Sequence, residues 1–311
     1  MPELPEIEIV KRSLFKMINK AKIINVKINN KKLRYKIPHT FCDSLNNEKI
    51  LNISRRSKYL IFHFKTKILL AHLGMTGKLL IIKNDGKTIL KTSFYYDMNI
   101  NPKHNHIYFK LKNGLALVYN DVRRFGFFKL YNTTQLKKIV FLKKLGVEPF
   151  SKIFNISYFK KNIRNRKKNI KNLLMDQKFI SGLGNIYVNE ALFFSKINPL
   201  RSCVSLSSNE IKNLIFYIKK ILRFAILKGG SSVRDFKNTL GESGNFQQFF
   251  RVYEQTNKKC SRNSCKGIIK KIAISNRSSF FVIDAKFNLV LTHIDQTDIK
   301  SAISCQILNQ P

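Results

Sequence analysis

Tyr59-Leu60-Ile61-Phe62-His63-Phe64-Lys65-Thr66-Lys67-Ile68-Leu69-Leu70-Ala71 decides how the first half of the chain is read. Two short apolar runs, 59–64 and 68–71, flank a polar break at Lys65-Thr66-Lys67, the pattern of successive strands. Outward from this stretch, runs of the same kind occur at 23–28, 79–82, 107–111, 115–119 and 127–130, parted by Asn, Gly and Lys. Many short strands with no helix between them predict a β-sandwich or barrel. Ahead of them, Ile7, Val10, Leu14, Met17 and Ile18 share one helical face.

After about residue 135 the periodicity becomes helical. Over 207–228, Ile211, Leu214, Ile215, Ile218, Leu222 and Ala225 form one stripe, Ser207 and Glu210 have capping-box spacing, and Gly229-Gly230 supply the stop. From 247 onward strand-like runs return at 249–253, 268–274 and 279–283. The fold expected is α+β: an N-terminal β-sandwich lobe (1–133) with an N-terminal helix, then a C-terminal helical lobe (134–246). A β-hairpin element (247–286) and an extension of unknown role (287–311) follow.

The chain carries 58 Lys and Arg against 18 Asp and Glu, a formal charge of +40. Such an excess favours a polyanion as partner, nucleic acid above all. The abundance of Lys, Asn, Ile and Phe also reads as compositional bias, and both readings stay open on charge alone. The start, Met1-Pro2-Glu3-Leu4-Pro5-Glu6, is acidic and proline-broken, unlike a secretory leader. No apolar run is long enough for a bilayer, and five scattered cysteines do not form a secreted disulfide framework. A cytoplasmic monomer is expected.

Removal of Met1 would expose the secondary amine of Pro2, and an α-amino group titrates near ~8, so a useful fraction is nucleophilic at physiological pH. Glu3 beside it is suited to proton transfer. The same residues also read as an ordinary helix start, with Pro in the first turn and acids at the positive end of the dipole.

Pro2-Glu3-Leu4-Pro5-Glu6-Ile7-Glu8 resembles the opening of the formamidopyrimidine-DNA glycosylases, and the resemblance continues in order to about residue 285. Arg55-Arg56-Ser57-Lys58-Tyr59-Leu60 is similar to the segment with that family's lysine. His72-Leu73-Gly74-Met75-Thr76-Gly77 and Asp121-Val122-Arg123-Arg124-Phe125-Gly126 resemble its two gap-filling loops. Leu174-Met175-Asp176-Gln177 and Gly182-Leu183-Gly184-Asn185-Ile186-Tyr187 resemble its helix-two-turn-helix motif. The resemblance implies a bifunctional enzyme of base-excision repair acting on damaged double-stranded DNA in the bacterial nucleoid. It would remove oxidised purines (formamidopyrimidine, 8-oxoguanine) and nick the abasic site by β,δ-elimination through a Schiff base.

By the same resemblance, Pro2 is the nucleophile, Glu3 the acid/base and Lys58 an elimination and phosphate residue, though Lys58 also reads as part of a solvated charge run. His106, Arg123, Arg124, Asn185 and Arg277 would bind DNA. Met75, Arg123 and Phe125 would fill the gap left by the flipped base, whose extrusion costs a few kcal/mol. Met75 and Phe125 are types usually found in cores, but each sits beside Gly in a polar turn, which favours exposed tips. The Gly182–Gly184 turn before Asn185 reads as a phosphate-binding nest, as a tight helix connection, or both. Glu190 matches a family glutamate that gives structural support, and 231–246 corresponds to a lesion-capping loop.

The family's finger holds zinc with two Cys-x-x-Cys pairs. Here Cys260 and Cys265 are separated by four residues, and Val282 and Ala285 occupy the second pair's positions. His293 and Cys305 lie at wide spacing. Two thiolates do not close a tetrahedral site, so a zincless finger is expected, packed by Ile268, Ile272, Ile274, Phe281 and Ile283, with Arg277 at its tip. Val122 and Glu254 stand where the family has Pro and Gly. Three alternatives remain: an endonuclease VIII-like enzyme for oxidised pyrimidines, disfavoured by Leu4 and the wedge residues; a DNA-binding relative that has lost catalysis; and a basic RNA-binding protein.

Overall fold

The computed structural model describes residues 2–83, 89–90, 101–164, 166–231 and 246–283. Most of the 231–246 segment, Ala285, His293, Cys305 and the 287–311 extension lie outside them. The stretch quoted above folds as β3 (Tyr59–His63) and β4 (Lys67–His72) of an antiparallel four-stranded sheet, ordered β2-β3-β4-β9, with β2 at Asn52–Arg56 and β9 at Phe127–Asn132. A five-stranded antiparallel sheet lies over it, ordered β1-β7-β8-β5-β6. Its strands are β1 (Ile23–Ile28), β5 (Lys78–Lys83), β6 (Ile89–Leu90), β7 (Asn105–Leu111) and β8 (Leu115–Asn120).

The two sheets share one core. Leu60, Phe62, Leu69 and Ala71 from one side meet Val26, Leu79, Ile81, Ile107, Phe109, Leu117 and Tyr119 from the other. The opposite face of the four-stranded sheet is covered too, with Ile61, Ile68 and Leu70 packed against Phe127 and Ile139. Burial on both faces is why this stretch reads as continuous apolar runs and not as an alternation. Strand β2 gave no such signal, because Arg55 and Arg56 lie on it and serve another purpose.

Helix α1 (Leu4–Ile18) places Ile7, Val10, Leu14 and Ile18 in the sandwich core, and a short α2 (Phe41–Leu45) closes one end of that core. Across the lobe boundary come α3 (Val140–Lys143), α4 (Ile156–Ile163), α5 (Ile170–Met175), α6 (Asn185–Phe194) and α7 (Ser208–Leu227). The 20-residue α7 starts with the expected capping box, Ser207 with Glu210. Its stripe packs on α4 and α6 in a second core, to which α5 adds through α6.

The lobes are bolted together by charges. Arg55 Nε reaches Glu8 Oε2 of α1 at 2.9 Å, and its Nη2 reaches Glu148 Oε2 at 3.0 Å. Arg56 donates to the Gly146 carbonyl at 2.6 Å and the Ser181 hydroxyl at 3.0 Å. Removing one member of so enclosed a set leaves a poorly solvated charge, at a cost of about 3–5 kcal/mol. Leu4 N–H adds a bond to the Gly182 carbonyl at 3.0 Å, which docks the start of α1 onto the turn ahead of α6.

The chain ends its described part in a hairpin of β10 (Ile268–Ile274) and β11 (Arg277–Ile283), joined by Ser275 and Asn276 at φ 48° and 58°. Two successive left-handed residues give the tight turn whose twist matches paired strands. One expected strand is absent. Residues 249–253 run from a 3-10 turn at Phe246–Phe249 into a loop wrapped around the buried Glu190 carboxylate. That carboxylate accepts the N–H groups of Arg251, Val252 and Tyr253 at 2.9–3.1 Å, so these donors have no ladder to join. Glu254 then takes a left-handed φ of 58°, which accounts for glycine suiting that position.

Candidate active site and DNA interface

Glu3 caps α1 and is buried at the lobe boundary. Its backbone N–H donates to Glu6 Oε2 at 2.9 Å, and its Oε1 accepts from the Ile186 N–H at the start of α6 at 3.0 Å. Its Oε2 is buried with no protein partner. Burial pushes the Glu3 carboxyl up to about 6, against the opposing pull of Lys58. A carboxyl so placed holds a proton at pH values where ordinary glutamates are ionised, and one oxygen is free to deliver it. Pro2, half-buried, precedes it directly.

Lys58 is not on a solvated face. The β2–β3 turn, with Ser57 at φ 57°, drives it inward until the residue is only 5% exposed. Burial lowers its proton affinity, Glu3 and Glu6 raise it, and Arg277 lowers it, so these groups share one field. His72, at the end of β4, joins them. Burial, with Lys58 and Arg34 nearby, holds its ring down at about 4, hence neutral at pH 7. Its Nδ1 accepts from Gly74 N–H at 3.1 Å, which leaves Nε2–H as a donor.

The helical lobe supplies the facing wall. Asn185, first residue of α6, donates to the Ser278 carbonyl at 2.9 Å. Lys171 of α5, almost fully buried, donates to the same carbonyl at 2.8 Å and to Ser279 Oγ at 2.6 Å. Burial and then Arg277 bring the Lys171 ammonium down to about 8. Asn189 Oδ1 accepts from Phe280 N–H at 2.8 Å. These bonds seat the hairpin tip, so the exposed Arg277 is brought to Lys58 from another lobe. The Gly182–Gly184 turn is less open than a phosphate nest would be. Gly182 N–H is taken by Gln177 Oε1 at 2.8 Å and Ile186 N–H by Glu3.

The two glycine-bounded loops, 72–77 and 121–126, stand side by side on the sandwich. Met75 and Phe125 are each 43% exposed, far from core-like, and the Arg123 guanidinium lies 4.6 Å over the Phe125 ring. Asp121, fully buried, ties the loops together by accepting from Thr76 Oγ1 at 2.5 Å, Tyr119 OH at 2.8 Å, Gly126 N–H at 3.0 Å and Arg123 N–H at 3.2 Å. His106, expected among the DNA-binding residues, is buried and does not reach the surface. It is 3% exposed, and its Nε2 bonds the Asp121 carbonyl at 2.7 Å, which makes it a support of this loop. His104, two residues earlier, is the more exposed histidine of that stretch.

The hairpin's base does not fit zinc. Cys260 and Cys265 are free and half-buried, two thiols where a tetrahedral site needs four ligands. Val282 faces this region as hydrocarbon. It packs with Cys260 against Phe193, Val252, Ile269 and Phe280, and Arg262 stacks 4.3 Å over Phe193. Among the described residues no three His, Cys, Asp or Glu gather as a ligand set.

Comparison with known proteins places this geometry. Residues 1–128 match the model for the formamidopyrimidine-DNA glycosylase N-terminal domain, and 145–237 match the formamidopyrimidine-DNA glycosylase H2TH domain. The chain belongs to the formamidopyrimidine-DNA glycosylase family. Among relatives, the formamidopyrimidine-DNA glycosylase of Bartonella tribocorum is 41% identical over 292 residues, covering 90% of this chain and 98% of that one. That of Streptococcus agalactiae is 41% identical over 271 residues, covering 87% and 94%. The Lactococcus lactis formamidopyrimidine-DNA glycosylase bound non-covalently to DNA containing an abasic site superimposes with a TM-score of 0.77 at 34% identity, covering 90% and 97%. The wild-type Lactococcus lactis enzyme with DNA containing an oxidised pyrimidine gives 0.78 at 35%, covering 90% and 98%.

This glycosylase chain is therefore a base-excision repair enzyme whose partner is damaged DNA, and no helix among its described residues is long and apolar enough to cross a membrane. Several residues of the site had no role in the sequence reading. Glu6 accepts from Glu3 N–H, from Tyr187 OH at 2.5 Å and from Ser231 N–H at 2.9 Å, and so fixes the start of α1. Its spacing of three from Glu3 was the available signal, since the two form a capping box. Lys171 carried no signal, because the Ser278 carbonyl it bonds is distant in sequence, whereas Asp121 acts on near neighbours of its own loop, the Arg123 and Gly126 N–H groups.

Proposed function

We propose that Pro2 and Glu3 carry the chemistry. The Pro2 nitrogen attacks C1′ of an extruded deoxyribose, and the damaged base leaves with the electron pair of the C1′–N bond and takes up the proton that the amine gives up. Glu3 gives a proton to the ring oxygen as the sugar opens to an iminium ion. Loss of a C2′ proton then expels the 3′ phosphate, and a second elimination expels the 5′ phosphate. Lys58, Asn185 and Arg277 hold the phosphates around that nucleotide, and Met75, Arg123 and Phe125 fill the stack. The observation that carries this reading is the buried, unpartnered Oε2 of Glu3, the residue that follows Pro2, whose burial favours its protonated form.

Oxidised purines are the preferred substrates in this reading. The enzyme works as a monomer on the nucleoid, with residues 1–133 as catalytic lobe and 134–246 as the DNA-binding lobe. Borohydride added during reaction with an abasic duplex is expected to trap a covalent adduct that maps to a Pro2-bearing N-terminal peptide. An adduct on a lysine, or none, would overturn the assignment.

The finger needs no metal in this reading, because apolar packing and the bonds from Lys171 and Asn189 hold it. Dialysis against a strong chelator should change duplex affinity by less than about twofold, whereas loss of a structural zinc, whose binding is itself folding energy, would cost far more. A tenfold fall with release of stoichiometric zinc would show that a metal is bound.

A further inference from the structure

The base of the hairpin keeps two thiols for which the glycosylase chemistry has no use. Cys260 and Cys265 stand at the two ends of a short loop, 260–265, just ahead of β10. Its frame is built from backbone. Lys259 bridges Ile268 in antiparallel fashion, Cys260 N–H donates to the Gly267 carbonyl at 2.8 Å, and Cys265 N–H donates to the Arg262 carbonyl at 3.2 Å. Ser264 holds a left-handed φ of 62°, a conformation that a non-glycine residue keeps only when its surroundings enforce it. Gly267 pins the foot of the loop to β11, since a Cβ there would lie 2.6 Å from the Ile283 carbonyl oxygen and from Val282 Cγ1.

Inside that frame the two thiols interact directly, and Arg262 N–H points at Cys260 Sγ at 3.5 Å. Both cysteines are free and half-buried. No metal accounts for the pair. Val282 and Ala285 occupy the other two ligand positions, and Val282 packs in the same apolar cluster as Cys260. Two sulfurs held together without further ligands can bond to each other, provided that the backbone lets them approach.

We infer that Cys260 and Cys265 form a reversible disulfide that closes this loop, with a peroxide as the oxidant. This rests on the metal-free reading of the finger. One thiolate attacks a peroxide oxygen, the O–O bond breaks, and the departing hydroxide takes up the proton that the thiol gave up. The second thiol then attacks the sulfenic acid at sulfur, the S–O bond breaks, and a second water leaves as the S–S bond forms. Two thiols are oxidised and one peroxide is reduced to two waters. In a reducing compartment such a bond is transient and follows the oxidant. Closing so short a loop removes freedom from the opened finger, so local opening at the base of the hairpin becomes rarer.

The test uses the full chain, treated with hydrogen peroxide, quenched with catalase and capped with iodoacetamide. Trypsin cuts after Lys259, Arg262 and Lys266, so the disulfide appears as peptide 260–262 joined to peptide 263–266, and dithiothreitol separates them. Limited proteolysis of the finger is expected to run about tenfold more slowly in the oxidised protein than in the reduced one. Cys265→Ser should abolish both the joined peptide and the effect of peroxide on proteolysis. Two capped thiols after peroxide, unjoined sulfinic acids, a bond from either residue to another cysteine, or equal proteolysis of joined and reduced forms would overturn the inference. The peptide mapping needs only wild-type protein, so it decides even if the variant folds poorly. Zinc measured in the untreated protein reports separately on the metal. Stoichiometric zinc sinks the metal-free finger, whereas a metal-free finger with two unjoined thiols sinks the disulfide alone.

Discussion

Glutamine at position 3 is expected to slow base excision by about 10²–10⁴-fold, the usual contribution of a placed general acid. The same variant should still form a borohydride-trapped adduct on a preformed abasic site, where no base remains to be expelled. The amide can keep the Ile186 N–H bond that Glu3 Oε1 makes, so the fold around α6 has no reason to change. What it cannot do is present a proton from the second, unpartnered oxygen. The pH dependence follows in sign. Burial raises the Glu3 carboxyl to about 6, so the protonated acid is present below that value and is lost as pH rises through it. The Pro2 amine becomes neutral only on approaching ~8. Excision should therefore peak between the two, and the fall on the alkaline side, which reports loss of the Glu3 proton, should vanish with glutamine because an amide does not titrate. Single-turnover rates on oxidised-base and abasic duplexes across pH check both statements. A glutamine variant with wild-type excision, or one that keeps the alkaline fall, would remove Glu3 from the proton-transfer step.

Much of this site was legible in the chain because the elements that carry it announce themselves locally. The Pro2-to-Glu8 start, the two glycine-bounded loops and the Gly182–Gly184 turn are contiguous, and the exposure of Met75 and Phe125 follows from turn chemistry in their own neighbourhoods. What stayed hidden depends on residues far apart. Residues 249–253 have strand-like composition, yet their N–H groups bond Glu190 about sixty positions away, and no periodicity could report that. His106 has the chemistry of a phosphate ligand, and only the strand's burial shows its ring turned inward. Strand β2 hid because Arg55 and Arg56, which lock the lobes, break its apolar pattern. Local chemistry was readable wherever exposure was decided within a turn, and unreadable wherever a partner came from another part of the chain.

Gly184 exposes how tightly the second lobe sets the first lobe's acid, and alanine there should be among the most damaging single changes in the chain. Its φ of −140° is ordinary extended backbone, so glycine is not needed for conformation. Space is the reason. A Cβ at this position would overlap the Glu3 carboxyl carbon and Oε1 and lie only 2.8 Å from Cγ. The carboxylate is buried and tied to Ile186, so it can move only by giving up that bond and its place beside Pro2. A displacement near 1 Å at a reacting group is enough for about a 10²-fold loss in rate, while overpacking costs the fold about 1–3 kcal/mol. Gly182, two residues earlier, makes the contrast. It has a left-handed φ of +95°, and its Cβ would meet the Leu4 side chain, not Glu3. Alanine at 182 should cost mainly stability, through strain of about 1–2 kcal/mol, with a smaller effect on rate than alanine at 184. Thermal melts beside single-turnover excision separate the two. If the 184 variant folded and excised bases at the wild-type rate, the position of the Glu3 carboxylate would not be what limits catalysis.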